Sequence, residues 1–229
     1  MEFVVEHHEL APSVVHLTLR PDEPLTELTD ALALAANAGS DAHVWLHGTT
    51  PERAEVLSST GRTSQRTLLQ MRMPLPAASS GIDSRAFALA DIDDFVAVNN
   101  RAFSWHPEQS GLTAEKVEAD MAADWFDADG FRLHHIDGDL AGFCWTKVHP
   151  QSPDDPPLGE IYVIAVDPPF HGRGLGKAMT LAGLEWLHAA GLGTAMLYVE
   201  SDNEAAVATY ERIGFHTHRE DTLWRDTWQ

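Results

Sequence analysis

The chain has 229 residues, enough for one large domain or two modest ones, and its hydrophobic share of 44% suits a protein with a buried core. No apolar run approaches the length of a bilayer-spanning helix, the first residues lack the features of a signal peptide, and a lone cysteine, Cys144, excludes an internal disulfide framework. A formal charge of −20 disfavours nucleic acid and membrane surfaces as partners and favours a cationic substrate such as a protonated amine, while also serving solubility. Together these features predict a soluble, cytoplasmic protein; a monomer is the expectation, although nothing in the sequence fixes the oligomeric state. In so acidic a chain, an anionic cofactor needs a local site of backbone N–H groups and a few basic residues.

Taken in order, residues 13–21 read as a strand ending in Pro21, 23–38 as a helix closed by Gly39, and 43–47 as a strand. Residues 51–60 then form a helix ended by Gly61, and 67–73 a strand. The segment Pro74-Leu75-Pro76-Ala77-Ala78-Ser79-Ser80-Gly81 is small, proline-bearing and without periodicity, so 77–81 reads as a linker between domains at 1–76 and 82–229. Beyond it, 82–87 predicts a strand, 90–103 a helix with Phe95, Val96 and Val98 facing inward, and 115–126 a second helix. Residues 131–136 and 141–149 predict strands joined by a hairpin turn at Asp137-Gly138-Asp139.

The run Gly159-Glu160-Ile161-Tyr162-Val163-Ile164-Ala165-Val166 is apolar almost throughout, which predicts a central strand. A glycine-rich turn, His171-Gly172-Arg173-Gly174-Leu175-Gly176, opens a helix over 177–190 closed by Gly191. Residues 195–200 are a strand, Asp202 or Asn203 caps a helix running to Ile213, and Gly214-Phe215 leads into a last strand. The plan is α/β with a mixed sheet. Order and element lengths in 13–73 echo those after residue 159, so the sequence reads as a duplication whose first copy is partial. The interval from Pro21 to Gly39 is five positions shorter than that from Pro168 to Gly191, which removes the glycine loop from the first copy. Ser13 stands there in place of Glu160, and Leu57 in place of Tyr210.

A strand that feeds a glycine-rich turn at a helix N-terminus is an anion site, because unpaired N–H groups converge there and the helix dipole favours negative charge. Arg173 and Lys177 add positive charge. No Gly-Lys-Ser/Thr follows, so the turn is not a Walker loop, and no acidic strand end follows at dinucleotide spacing.

Strand, glycine turn, long helix, strand, Asn-capped helix with an aromatic near its end, and Gly-Phe strand together resemble the GNAT acetyltransferases. His171 stands where that family usually has Gln or Arg. The segment from Asn203 through Ala206 and Tyr210 to Gly214-Phe215 resembles the family's other signature. Several segments resemble the mycothiol synthase branch more closely: Val98-Asn99-Asn100-Arg101-Ala102-Phe103, His106-Pro107-Glu108-Gln109, Trp145-Thr146-Lys147-Val148-His149-Pro150 and Leu197-Tyr198-Val199-Glu200-Ser201-Asp202-Asn203. His47-Gly48-Thr49 does so in the first copy. That branch carries two tandem GNAT domains, with catalysis in the second, and this chain lacks most of the first.

The resemblance implies acetyl-CoA as co-substrate, with no metal. Ile164, Ala165, Val166, Gly172, Arg173, Gly174, Leu175, Gly176, Lys177, Ala178, Asn203 and Ala206 would bind it. It implies Glu160 as general base and Tyr210 as proton donor to the departing thiolate. Glu108, Lys147, Tyr198 and Glu160 would contact the substrate, the cysteinyl amine of desacetylmycothiol. Another small amine, a protein N-terminus, and an acyl-CoA sensor without turnover are the alternatives. The pairs His7-His8 and His134-His135 are adjacent on expected strands, where neighbours face opposite ways, which argues against chelation. Cys144 reads as a small buried hydrophobe.

Overall fold

The computed structural model describes residues 2–6, 14–19, 26, 29, 30, 32, 33, 41–104 and 111–226. The chain divides into two compact units. One comprises Met1–Met71, Val199–Glu204 and Thr217–Gln229, and the other Arg72–Tyr198 and Ala205–His216. The sequence-based boundary at 77–81 falls inside the second unit.

In the first unit β1 (Glu2–Glu6) runs antiparallel to β2 (Val14–Leu19), which is parallel to β3 (Asp41–His47). The strand order continues through β10 (His216–Asp226) to β4 (Arg62–Pro74). Thr26, Thr29, Asp30, Leu32 and Ala33 are helical, within the stretch 23–38 where a helix is expected. Helix α1 (Pro51–Ser59) starts with Pro51 at its first turn and Thr50 as cap, whose hydroxyl accepts from the Arg53 N–H. Leu57 of α1 is fully buried. Asp221 of β10 is buried as well, and three donors surround it. His47 lies 2.7 Å away, Arg219 Nε 2.8 Å away, and the Gly48 N–H donates at 3.0 Å. Burial opposes the charge of Asp221, but His47, Arg219 and the Gly48 amide together hold its carboxyl below the usual range.

In the second unit the strand order is β9 (Thr194–Glu200), β8 (Leu158–Val166), β7 (Asp139–His149), β6 (Phe131–Ile136) and β5 (Arg85–Ala86). β8 is central, as its apolar run predicts: β7 pairs antiparallel on one side and β9 parallel on the other. The β6–β7 hairpin turns at Asp137 and Gly138, both left-handed with φ of 55° and 96°, the backbone that a two-residue hairpin turn requires.

Helices α2 (Ile92–Ala102) and α3 (Ala114–Met121) lie on the face of this sheet that carries an aromatic core. Phe131 stacks between Phe87 and Trp145 at centroid distances of 4.5 and 4.7 Å, and Phe95 of α2 meets Phe131 and Phe143 edge-on. The other face packs against α4 (Leu175–Ala189). There a Cβ on Gly183 would come within 2.5 Å of the Cys144 sulfur and 2.9 Å of Ile161. Only glycine lets the α4 backbone approach so closely.

Two expectations shift. The second helix stops at Met121 rather than Phe126, because Trp125 and Phe126 leave the helical path to pack on Trp145 at 5.6 and 5.8 Å. The segment read as a free linker is docked: Ser79 Oγ, Ser80 N–H and Ser80 Oγ all donate to the Glu185 carboxylate of α4. No described helix is long and apolar enough to cross a membrane.

Candidate active site

At the end of β8 the buried Asp167 forms a two-point ion pair with Arg101 of α2, at 2.7 and 2.9 Å, and its N–H donates to Ala141 O. The chain then passes through a short 3-10 turn, Pro168–Phe170, into the glycine loop. Gly172 and Gly174 are left-handed, with φ of 78° and 76°, and Gly174 caps α4 with no side chain to satisfy the first amides. The first-turn N–H groups of α4 have no carbonyl four residues back, and the helix dipole adds positive potential. A Cβ built on Gly172, Gly174 or Gly176 meets no atom within 4 Å, so these three glycines border open space. Arg173 and Lys177 are exposed with no carboxylate partner among the described residues, and Arg173 lies over the Phe170 ring. This is a local positive site in an acidic chain, with the shape and donors that a diphosphate needs. Leu175 is buried behind the cradle, the Ala178 N–H is taken by Gly174 O, and the His171 ring turns back to Val166 O at 2.9 Å.

β8 and β9 part company above this loop. Their pairing covers Gly159↔Ala195, Glu160↔Met196 and Ile161↔Leu197, whereas pairing of β8 with β7 continues to Gly142↔Val166. Ile164, Ala165 and Val166 therefore hold a strand partner on the β7 side only. Their opposite edge offers main-chain donors and acceptors to a ligand lying as an added strand.

A β-bulge sits at the same point. Trp145 pairs with Val163 but Thr146 pairs with Ile161, leaving Tyr162 as the extra residue. The bulge puts consecutive side chains on one face: Tyr162 contacts Trp145 and Trp125, while Val163 packs in the same aromatic core. That face also carries Glu160 and, directly opposite it on β7, Lys147. Glu160 is buried, with 8% of its surface exposed, and its Oε2 lies 2.7 Å from His149 Nε2. Lys147 Nζ sits over the rings of Trp125 and Tyr162, at 4.6 and 5.3 Å. Tyr198, two residues past Met196 on β9, shares this face and is partly exposed. Tyr162 titrates above its ordinary range, from burial first and then from the nearby carboxylates of Asp120 and Glu160.

Tyr210 lies in α5 (Glu204–Ile213), edge-on to Phe215 at 5.9 Å. Burial pushes its phenol up to about 12, and among the described residues its hydroxyl has no hydrogen-bond partner. Burial likewise pushes the Cys144 thiol up to about 12, so this cysteine stays protonated and inert. Asn203 precedes α5 and its N–H donates to Glu200 O; Ala206 is in the first turn of the helix. Glu108 lies outside the described residues, as do His7 and His8. His134 and His135 flank an irregularity in β6 and turn to separate partners, Asp83 O and Arg85. No group of three or more metal-ligating side chains occurs among the described residues.

A glycine cradle at the head of a helix, a splayed strand pair and, just before the splay, a buried carboxylate are an arrangement that an acyl-CoA fits. Residues 96–215, just over half of the chain, match the Acetyltransferase (GNAT) family. The chain belongs to that family. It is 42% identical to the mycothiol acetyltransferase of Rhodococcus erythropolis, over 96% of this chain and 76% of that protein. It is 39% identical to the mycothiol acetyltransferase of Segniliparus rotundus, over 93% of this chain and 84% of its relative. Among solved structures, a GCN5-related N-acetyltransferase from Sphaerobacter thermophilus has the same fold, with a TM-score of 0.72 at 18% identity over 98% of this chain and 75% of that one. A tandem GNAT protein from the clavulanic acid biosynthesis pathway matches with a TM-score of 0.63 at 15% identity, over 97% of this chain and 77% of its own.

As a GNAT acetyltransferase the chain is an acyltransferase with acetyl-CoA as co-substrate, and its open glycine cradle fits that molecule's diphosphate. His149, Trp125 and Tyr162 join the site without a motif of their own in the sequence. A usable signal existed: Lys147 and His149, like Glu160 and Tyr162, are two apart on strands and so share a face. What joined the two pairs was the β7–β8 register.

Proposed function

We propose that this GNAT acetyltransferase acetylates the cysteinyl α-amine of desacetylmycothiol by direct transfer. Similarity to mycothiol acetyltransferases over nearly the whole chain is the observation that carries the choice of substrate. The site's chemistry agrees with it. An α-amine titrates near pH 8, so roughly a tenth is neutral at pH 7, a cost of about 1.4 kcal/mol, whereas a lysine amine would cost about 4.6 kcal/mol. One carboxylate is then a sufficient base.

In this reading Glu160 takes the amine proton, directly or through a water, as the nitrogen attacks the thioester carbonyl. The C–N bond forms, the carbonyl oxygen becomes an oxyanion held by N–H groups on the open edge of β8, those of Ile164 and Val166, and the C–S bond then breaks. The cradle from Gly172 to Gly176, with Arg173 and Lys177, holds the diphosphate, while Asn203 and Ala206 contribute at the second signature. Tyr210 donates to the departing sulfur. A phenol near pKa 12 is loaded with its proton at every physiological pH. Complete transfer to a thiolate of ordinary pKa 8.5 would be uphill by roughly 5 kcal/mol, so the phenol hydrogen-bonds the sulfur as the C–S bond breaks and the departing thiolate takes its proton from solvent. Lys147, Tyr198 and Glu108 bind the sugar–inositol portion. Residues 82–229 carry this apparatus, and a monomer in the cytoplasm suffices for it.

The test is incubation of the full chain with acetyl-CoA and desacetylmycothiol, with the N-acetylated product read by mass spectrometry. Peptides with free N-termini and simple amines run in parallel. Acetylation of desacetylmycothiol with the highest kcat/KM supports the proposal; turnover confined to other amines, or acetyl-CoA binding without turnover, refutes it.

A further inference from the structure

The amine proton that reaches Glu160 has to leave again before the next turnover, and Glu160 is buried. Resting on the base role proposed for Glu160, we infer that His149 is the positioning residue that drains this proton to solvent. Its Nε2 lies 2.7 Å from Glu160 Oε2, and the imidazole spans the burial boundary: its side chain is 34% exposed against 10% for the carboxylate. His149 stands two residues beyond Lys147 on the same face of β7, diagonal to Glu160, so the strand register fixes the contact. It occupies one carboxylate oxygen and leaves Oε1 for the amine or its water.

The ionisable side chains of β7, β8 and α3 beside Glu160 do not offer this route. Lys147, opposite Glu160, is directed over the Trp125 and Tyr162 rings. Tyr162 holds its own proton tightly because burial and neighbouring carboxylates raise its pKa. Lys116 and Asp120, the remaining charges near Tyr162, pair with each other at 2.5 Å. An imidazole also accepts a proton on one nitrogen while releasing one from the other. The step balances without redox change. With Glu160 ionised, Nε2–H donates to Oε2 and Nδ1 is bare. Once the carboxyl is protonated, the imidazole exchanges its proton through water from Nε2 to Nδ1, and Nε2 accepts the carboxyl proton. Nδ1 then releases its proton to water, which restores both the carboxylate and the Nε2–H. The net result is transfer of one proton from the former ammonium to solvent.

The assay separates the first turnover from the later ones. Glu160 begins as a carboxylate, so draining matters only after one acetyl group has moved. For His149→Gln, whose amide can hydrogen-bond Glu160 but cannot relay a proton, rapid-quench acetylation of desacetylmycothiol should show a burst of one equivalent near the wild-type rate. Steady-state turnover should then fall about 10- to 10²-fold, toward the lower range for a positioned proton-transfer group, with the acetyl-CoA KM within about twofold. In His149→Ala, added imidazole should restore steady-state turnover in proportion to its concentration. Steady state equal to wild type in His149→Gln overturns the relay, and so does an equal fall of first turnover and steady state, which marks a purely orienting contact. Glu160→Gln is run alongside. Full activity there removes the base role itself, whereas a dead Glu160→Gln beside a normal His149→Gln removes only the relay.

Discussion

Gly174→Ala separates backbone strain from cofactor binding, because the structure supplies a matched control. Gly174 and Gly138 are both left-handed, with φ of 76° and 96°, and a Cβ at either position meets nothing within 4 Å. Alanine at each therefore introduces strain without a clash, worth about 1–2 kcal/mol. For a chain of this size that corresponds to a fall of roughly 2–8 °C in Tm for both variants. Their binding should diverge. The open space beside Gly174 is where a diphosphate oxygen would approach the α4 amides, and a methyl group there should remove one charge-assisted hydrogen bond, about 1.5–3 kcal/mol. That converts to a rise of about 10- to 10²-fold in the acetyl-CoA Kd. Gly138 sits in the β6–β7 hairpin turn, and its variant should bind as wild type does. Thermal melts give the first quantity and titration calorimetry with acetyl-CoA the second. If Gly174→Ala binds acetyl-CoA as tightly as Gly138→Ala, the cradle is not the cofactor site and the reasoning from open space fails.

Glu160→Gln should lower kcat by about 10²-fold or more while the chain keeps its wild-type melting curve, checked by steady-state kinetics and calorimetry. Tyr210→Phe should lower kcat with little change in either KM. Since the phenol titrates at about 12, the pH–rate profile of the native enzyme should show no descending limb from this group below pH 10. Lys147→Met should raise the desacetylmycothiol KM and leave the acetyl-CoA KM unaltered, because it removes a cation held against Trp125 and Tyr162 without touching the glycine loop. Asp221→Asn should destabilise the chain at pH 7 by roughly 3 kcal/mol, leaving His47 and Arg219 without their buried anion. The folded carboxyl titrates below its unfolded range, so the native stabilisation is present above the unfolded pKa and is lost as pH falls through the folded one. Chemical denaturation at several pH values should show the variant's deficit shrinking in acid.

The sequence was most informative where the backbone admits a single residue type. The left-handed conformations at Gly172, Gly174 and Gly138 are what glycine in those contexts implies, and the apolar run of β8 does occupy the middle of its strands. It was least informative where a partner lies far along the chain. Nothing local distinguishes Ile161-Tyr162-Val163 in a regular strand from the same residues across a bulge, yet the bulge aims Tyr162 at Trp125. The His149–Glu160 contact depends on the β7–β8 register, which the sequence leaves open. The serines of 77–81 have a linker's composition, and their anchoring to Glu185 is settled by tertiary packing more than a hundred positions away. Trp125 and Phe126 continue a helical pattern on paper, but burial against Trp145 outweighs the last turn of helix.

The parting of β8 from β9 also bears on how this enzyme is handled. Past Ile161 the β9 side of the central strand offers unmated amides and carbonyls alongside the half-buried Ile164 and Val166, and an extended segment that enters the gap can pair with such a border. Pantetheine laid along it would act as a plug as well as a reactant. Preparations kept saturated with coenzyme A should then clump more slowly on storage than those stripped of it.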